Sequence, residues 1–528
     1  MTAERKSWAP GNPYLNRKLI PWIIPALFIA LGFYLPIGRV VVQGIGLSSN
    51  PVIPFTIFQA VLSTVLAMGL ALPIATLLYR RRFFGSRVLQ GIIAVPFLMP
   101  TVVVAIALDD YQRALRESFD PFAAGLIGIL LAHIFLNMGL IIRAVGSRIA
   151  GLDEHQIEAA KLDGADGLRL WWEIIFPQLR STIAASSVLV FLYSVTSFGV
   201  IRLLGGGSIE TIETEIFIEA LRNLDLAEAS RLAFVQTLIT VAAFAVSIRL
   251  GNISIDSDSG IIKKLQVSDI PLLVFSGAVV AFLYLLPTAS IFLKAFTVQS
   301  SFGFQNFINL AGTGTRDLLN ISVVEASANS IRNMLIATVV SMVIAMLVAR
   351  ASKDRQWLAI PFLLPLGISA VVIGLGYLVG FAGIPGLSLL RSSWLIVPLS
   401  QVVIALPLAI RLLQSAFGSI PRELTDSAEL DGADSSQRLR LVELPLIAPA
   451  WKNVLTFVAL ISLGEFSAAS FLASGDQATI TTLLFRLASR PGGENFGMAM
   501  ATSALIIVFS LLVLMLANTR KKSDSVGS

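Results

Sequence analysis

Long apolar runs separated by short polar segments pattern the chain from Leu19 to Ala517. A helix needs about 20 residues to cross a hydrocarbon layer, where its backbone must satisfy its own hydrogen bonds. On that length, runs near 20–44, 53–79, 88–108, 122–146, 181–204 and 232–250 predict six spans in the first half. Runs near 270–296, 328–349, 357–382, 393–417, 451–473 and 498–517 predict six in the second. The first run, from Leu19 to Gly46, is too long for a cleavable signal core and lacks a small-residue cleavage site, so it reads as a retained span. The fold expected is an all-α polytopic membrane protein with about twelve transmembrane helices.

The polar segments carry a repeat. Glu158–Pro177 recurs as Asp426–Pro445 at a constant offset (426 − 158 = 445 − 177 = 268), with Leu-Asp-Gly-Ala-Asp identical at 162–166 and 430–434. The same offset pairs Arg143 with Arg411, Gly205-Gly206-Gly207 with Ala473-Ser474-Gly475, and Thr211-Ile212 with Thr479-Ile480, without a gap. The repeating unit is therefore a whole six-span module, and because six is even the two copies run parallel. The expected layout is a tail (1–18), a first module (19–250), a polar linker without apolar periodicity (251–269), a second module (270–518) and a tail (519–528).

Basic residues orient the spans. Arg80, Arg81, Arg82 and Arg87, then Lys263 and Lys264, then Arg350, Lys353 and Arg355, and finally Arg520, Lys521 and Lys522 place those loops and both termini in the cytoplasm. The repeated segments, 152–177 and 420–445, then fall inside. The segment with Glu210, Glu213, Glu215, Glu219, Asp225 and Glu228 falls outside.

Each inner segment predicts two short helices around an exposed turn. Asp153 with Gln156 resembles a capping box, and Pro421 suits a first helical turn. Gly164 and Gly432 permit the left-handed residue that ends a helix, Asp163 or Asp166 and Asp431 or Asp434 are candidate caps of the next, and Pro177 and Pro445 are expected to break it. Such a helix pair suits insertion into a groove of a soluble partner. A merely interfacial helix explains one copy, but not two at equivalent positions.

At these residues the chain resembles the membrane permeases of ABC importers, whose EAA loop places a Gly six residues after the Glu and a Pro thirteen beyond it. Glu158, Ala159, Ala160, Gly164 and Pro177 match, while the second copy reads Asp426-Ser427-Ala428 and retains Gly432 and Pro445. The fused modules are similar to thiamine and ferric-iron importer permeases. Tyr79–Phe83, Gly128–His133 with Asn137, Ser197-Phe198 and Leu204–Gly207 resemble the thiamine permease more closely. The resemblance implies a type I importer fold in a bacterial inner membrane. It also implies coupling roles for both loops, including Asp163, Ala428 and Asp431, and two ATP-binding subunits that hold ATP and Mg. An extracytoplasmic binding protein would deliver thiamine, a phosphorylated form of it, or ferric iron. The shorter Asp426 predicts that the two loops contribute unequally.

Composition narrows the alternatives. With 55% apolar and 14% charged residues and a mean hydropathy of +0.80, the 528-residue chain is not an ordinary soluble protein. Its net charge of +6 comes from clusters beside apolar runs, which reads as topology rather than nucleic-acid binding. With no cysteine and only His133 and His155, thiolate and His-rich metal sites are excluded. No G-x-x-x-x-G-K-[ST] occurs, so any ATP hydrolysis belongs to a partner, and the chain is read as a pore-forming subunit rather than an enzyme. An ion-coupled carrier with two six-span halves explains the span count but not the paired loops.

Candidate pathway residues are the polar and aromatic positions within spans: His133, Asn137, Ser197, Phe198, Glu465 and Phe466. Glu465, the repeat equivalent of Ser197, fits an organic cation, a hard cation, or a structural role as an Arg partner or a cap of a broken helix. His133 and Asn137 share a helix face and suit either the pathway or an interhelical bond. Pro96/Pro100 and Pro361/Pro365 are matched candidates for bending.

Overall fold

The computed structural model describes residues 22–518 except 47, 95, 97, 98, 166, 251–262, 300, 316–318, 354, 385, 392 and 491. The two tails, most of the linker and the candidate cap Asp166 lie outside the described residues. The first module contains α1 (Trp22–Gly44), α2 (Val52–Arg80), α3 (Ser86–Ala94), α4 (Thr101–Ala107), α5 (Asp109–Ser118) and α6 (Pro121–Ala150). It continues through α7 (Glu154–Leu162), α8 (Trp171–Val195), α9 (Gly199–Leu204), α10 (Ile212–Leu221) and α11 (Leu226–Leu250). The second contains α12 (Val267–Ala295), α13 (Val323–Ala351), α14 (Gln356–Gly367), α15 (Ala370–Gly380) and α16 (Ile396–Gly418). It ends with α17 (Arg422–Leu430), α18 (Ser435–Gly464), α19 (Ala469–Leu472), α20 (Ile480–Ala488) and α21 (Gly493–Asn518).

The repeat seen in sequence recurs in the helices. α7 and α10 return as α17 and α20 at the same offset (422 − 154 = 480 − 212 = 268). Each module is built around a long pair, α2 on α6 and α13 on α16. Small residues at four-residue spacing let the backbones approach: Ala67, Ala71 and Ala75 on α2, and Ala337, Ser341, Ala345 and Ala349 on α13, all fully buried. The modules interlock through their first spans. The second half of α1 packs on α15 of the other module, and that of α12 packs on α4. A Cβ at Gly380 would lie 2.5 Å from the Cα of Pro36, so this crossing requires glycine. Arg39 seals it by donating to the carbonyls of Gly380 and Ala382 at 3.2 and 2.8 Å.

Prolines account for where the span count departs from twelve. Among the described residues ten helices are long and apolar enough to cross a membrane, with an eleventh if α14 and α15 count as one span. The run at 357–382 is bent by 93° between α14 and α15, and the run at 88–108 divides into α3 and α4. Pro96 and Pro100 lie in the first break, where the ring removes an N–H donor and crowds the preceding turn, whereas Pro361 and Pro365 lie within α14, ahead of the bend at Ile368-Ser369. The runs at 181–204 and 451–473 are also interrupted, after Val195 and after Gly464.

Pro177 and Pro445, expected to break a helix, do not. Each follows a five-residue π segment, Trp171–Ile175 or Leu439–Glu443, and the helix continues through it. The wider turn bonds the Phe176 N–H to the Trp171 carbonyl, five residues back, and so accommodates a ring that an α-turn would exclude. Pro36 and Pro287 follow π segments Ala30–Tyr34 and Ala281–Leu285 in the same way. Near the linker, Arg81–Arg82 pairs in parallel with Lys263–Lys264, and Arg81 bonds Asp269 at 2.9 Å, tying the module joint to the α2–α3 loop.

Candidate functional site

The two inner loops fold alike. Asp153 opens α7 by accepting from the His155 N–H at 2.9 Å. The reciprocal bond of a capping box is not made, because the Gln156 carbonyl oxygen accepts from Gln178 instead. Pro421 is the cap of α17 rather than its first helical residue. Both helices end on a left-handed glycine, Gly164 and Gly432, each with φ of +82°. The Ala165 and Ala433 N–H groups reach back five residues to the carbonyls of Ala160 and Ala428, both at 2.9 Å. Asp163 and Asp431 occupy the C-cap positions, donating their N–H groups to the carbonyls of Ala159 and Ser427. Asp434, not Asp431, caps the following turn, in a complete box with Gln437.

Burial then selects a face. Ile157 and its equivalent Thr425 are buried, whereas Glu158 and Asp426 are exposed. Leu162 and Leu430, one residue before the C-caps, are each 89% exposed. They are apolar side chains projecting from the ends of two matched polar helices. The sequence signal was present, an invariant apolar residue between the two copies inside a polar segment, but it was not singled out.

The loops are held differently. Arg80 at the end of α2 bonds Glu154 at 3.1 Å. In the second module Arg350 at the end of α13 bonds Glu443 at 2.6 Å and donates to the Ser435 carbonyl at 2.8 Å, while Arg438 pairs with Glu429 and reaches Glu443 at 3.5 Å. His155 is exposed on α7, and Arg143 and Arg411 are exposed on α6 and α16.

Within the membrane, the two helix interruptions meet. Phe198 and Phe466, equivalent in the repeat (466 − 198 = 268), stack across the module boundary with centroids 5.5 Å apart and ring planes 28° apart. Phe217 contacts Phe198 at 5.4 Å, and its equivalent Phe485 contacts Phe466 at 5.2 Å. The four rings form a row, and Phe217 also meets Phe471 of the second module edge-on at 5.3 Å, where the first module has Leu203. Gly199 permits it, since a Cβ there would stand 3.0 Å from the Phe466 ring and 2.6 Å from Thr101 Oγ1. Phe217 and Phe485 were not anticipated, although the offset relates them.

Glu465 is used by the fold. Its two carboxylate oxygens accept from the N–H groups of Ala468 and Ala469 at 2.7 and 3.0 Å, capping α19 where the helix restarts. Ser197, its equivalent, is buried beside the aromatic row. His133 Nδ1 lies 2.8 Å from Ser63 Oγ, linking α6 to α2 inside the first module, and Asn137 is buried one turn further on. The structure thus brings Ser197, Phe198, Glu465 and Phe466 to the interrupted segments and leaves His133 in a bond between helices. Glu213, in the segment expected on the outer side of the membrane, is fully buried within the protein. It accepts from Gln236 Nε2 at 2.6 Å and from Ser369 Oγ at 3.1 Å, joining α10 and α11 to the bend before α15. Its spacing to Ile216 and Ala220, three and seven residues on, places it on the buried face of α10. Among the described residues no three His, Cys, Asp or Glu side chains converge as a metal site.

Two parallel modules with interrupted helices, a shared aromatic centre and paired polar helices at one end define the membrane component of a transporter. Residues 63–257 and 337–520 match the family of binding-protein-dependent transport system inner membrane components, and the chain belongs to that family. It is an ABC importer permease, a multi-pass inner-membrane protein. The thiamine transport system permease protein ThiP of Salmonella typhimurium is 26% identical over 496 residues, covering 88% of both chains. ThiP of Escherichia coli is 26% identical over 471 residues, covering 82% of this chain and 83% of its own. The ferric transport system permease protein FbpB of Actinobacillus pleuropneumoniae is 24% identical over 485 residues, covering 87% of this chain and 69% of its own.

Proposed function

We propose that this permease forms the whole translocation path for thiamine or a phosphorylated form of it, driven by two ATP-binding subunits docked on α7 and α17. The observation that carries the docking reading is the matched pair of helix ends, with Gly164 and Gly432 at one φ and Leu162 and Leu430 at one exposure. ATP and Mg bind in those subunits, and both termini of this chain lie on their side of the membrane. Support for that orientation comes from Arg80–Arg82, Lys264, Arg350 and Lys353, which cluster at the same end as the docking helices. The phenylalanine row closes the path between the modules, and an external binding protein delivers substrate to its outer side.

Support for thiamine comes from the ThiP relatives, which align over nearly their whole length. An aromatic path is also chemically suited to a cationic heterocycle. The test is reconstitution of the permease with its ATPase and binding protein in proteoliposomes, followed by uptake of labelled thiamine and of ferric iron. ATP-dependent accumulation of thiamine supports the reading. Accumulation of iron alone transfers the chain to the ferric group, and uptake that persists without an ATPase refutes the docking role.

A further inference from the structure

We infer that the second module carries a binding site for one anionic phospholipid, in a crevice between the end of α13, the start of α18 and the docking helix α17. The crevice has a volume of about 820 Å³, within the range of ligand pockets. Its lower wall is apolar, formed by Met342, Val343, Met346 and Leu347 of α13 with Leu439 and Trp451 of α18. Its upper rim holds Arg350, Lys353, Arg422 and Arg438 against Asp426, Glu429 and Glu443. Four positive and three negative groups leave one net positive charge, the complement of a single phosphodiester.

Two features favour a lipid over other occupants. Leu335, Val339 and Val343 lie one turn apart on α13 and are each more than half exposed, so an apolar track leads from the membrane core into the crevice. An acyl chain follows that track while its phosphate meets the basic rim. The rim is also held in place, because Glu443 fixes both Arg350 and Arg438 and the Ser435 carbonyl fixes the Arg350 guanidinium further. The chain's own amino-terminal tail, with Arg5, Lys6, Arg17 and Lys18, has the wrong charge for this rim.

The first module fills the equivalent space. At the 268 offset, Thr425, Arg438 and Glu443 correspond to Ile157, Leu170 and Ile175, all buried, and Leu439 corresponds to Trp171. The site therefore belongs to one module only, and it ties the leaflet to α17 but not to α7. The cytoplasmic leaflet is assigned on the orientation reading above; the site itself does not depend on the substrate.

The experiment is native mass spectrometry of the purified full chain titrated with dioleoylphosphatidylglycerol or dioleoylphosphatidylcholine. One phosphatidylglycerol is expected to bind at least tenfold more tightly than phosphatidylcholine. Arg422→Glu, which installs the residue present at 154, and Lys353→Gln are each expected to weaken it, the charge reversal by about tenfold. Thr425→Ile with Leu439→Trp, copying the first module, removes the site while leaving every rim cation in place. Unfolding temperatures of the variants separate loss of binding from loss of fold, and Lys353→Gln on the partly exposed rim serves if the filling variant fails to fold. Equal binding of the two lipids overturns the proposal, as does retention in all variants. Displacement by inorganic phosphate would make the site one for a free anion. Appearance of the site only after removal of residues 1–18 would assign the crevice to the tail.

Discussion

Replacing Gly164 or Gly432 isolates the contribution of one backbone conformation to coupling. Both residues have φ of +82°, and a Cβ at either would meet no atom within 4 Å, so neighbouring side chains add nothing to the cost. What remains is the left-handed penalty of an L-residue, about 1–2 kcal/mol, or roughly five- to thirtyfold in the population of the correctly ended helix. Asn tolerates this region better than Ala, and β-branched Val tolerates it worst. The expected order of substrate-stimulated ATP hydrolysis in proteoliposomes is therefore Gly, Asn, Ala, Val at each position. Gly85→Ala is the control, because Gly85 also has positive φ and open space but lies in the α2–α3 loop. It is expected to cost similar local stability without uncoupling. If Asn, Ala and Val behave alike, or if Gly85→Ala uncouples equally, the left-handed turn is not what positions the docking helix. Because the backbone cost is the same at 164 and 432, any difference between the two series reports the partner contact, including the Glu158/Asp426 difference.

Leu162→Asp and Leu430→Asp are each expected to weaken ATPase association more than tenfold in a pull-down titration while leaving the unfolding temperature unchanged; a lowered unfolding temperature would mark the leucines as structural. Arg350→Ala is expected to destabilise the second module by about 2–3 kcal/mol, short of the full cost of a stranded buried charge because Arg438 remains near Glu443. Arg80→Ala, whose partner Glu154 is 14% exposed against 5% for Glu443, is expected to cost about 1 kcal/mol, and equal shifts in thermal unfolding would refute the ranking. Phe198→Ala combined with Phe466→Ala is expected to allow ATP-independent leak of substrate, measured as efflux from loaded proteoliposomes; no leak would place the barrier elsewhere. Partial burial of Asp110 opposes its ionisation, but bonds from Lys294 and Ser290 prevail and hold its carboxyl below the ordinary value of 3.8. That contribution is present above the unfolded value and lost as pH falls through the lower folded one, so Asp110→Asn should flatten the acid limb of unfolding below about pH 4 and leave pH 5–8 unchanged.

Periodicity and repetition exposed the large-scale plan because they depend on many residues at once. The 268 offset locates both α7 and α17 and pairs Phe217 with Phe485. Apolar run length was less informative about continuity. The run at 88–108 is long enough to span, yet Pro96 and Pro100 divide it, and 181–204 is interrupted at Thr196–Phe198 without any proline there. Proline alone did not decide either, since Pro177 and Pro445 are absorbed by the π turns before them. The burial of Glu213 was not legible among its acidic neighbours, because its partners Gln236 and Ser369 come from α11 and the other module. Such long-range pairing is set by tertiary packing and leaves only a weak mark in the local pattern.

The module boundary combines a symmetric centre with an asymmetric frame. Phe217, Phe198, Phe466 and Phe485 form a row whose members the 268 offset pairs. The ties around it do not map. Glu213 of the first module is bonded to Ser369 of the second, while its equivalent, Thr481, donates to the Glu465 carbonyl within its own module. At the end that carries the repeated loops, α7 is tied to α2 through Glu154 and to α8 through the Gln156–Gln178 bond, whereas in the second loop Arg350 ties α13 to Glu443 of α18 and Arg438 ties α18 to Glu429 of α17. Each loop therefore reaches the helix that leads to its half of the aromatic row, α8 to Phe198 and α18 to Phe466, but by a neutral amide bond in the first module and by ion pairs in the second. On the proposed docking, equal pushes on the two loops pass through bonds of different strength, so the two sides of the row need not part together.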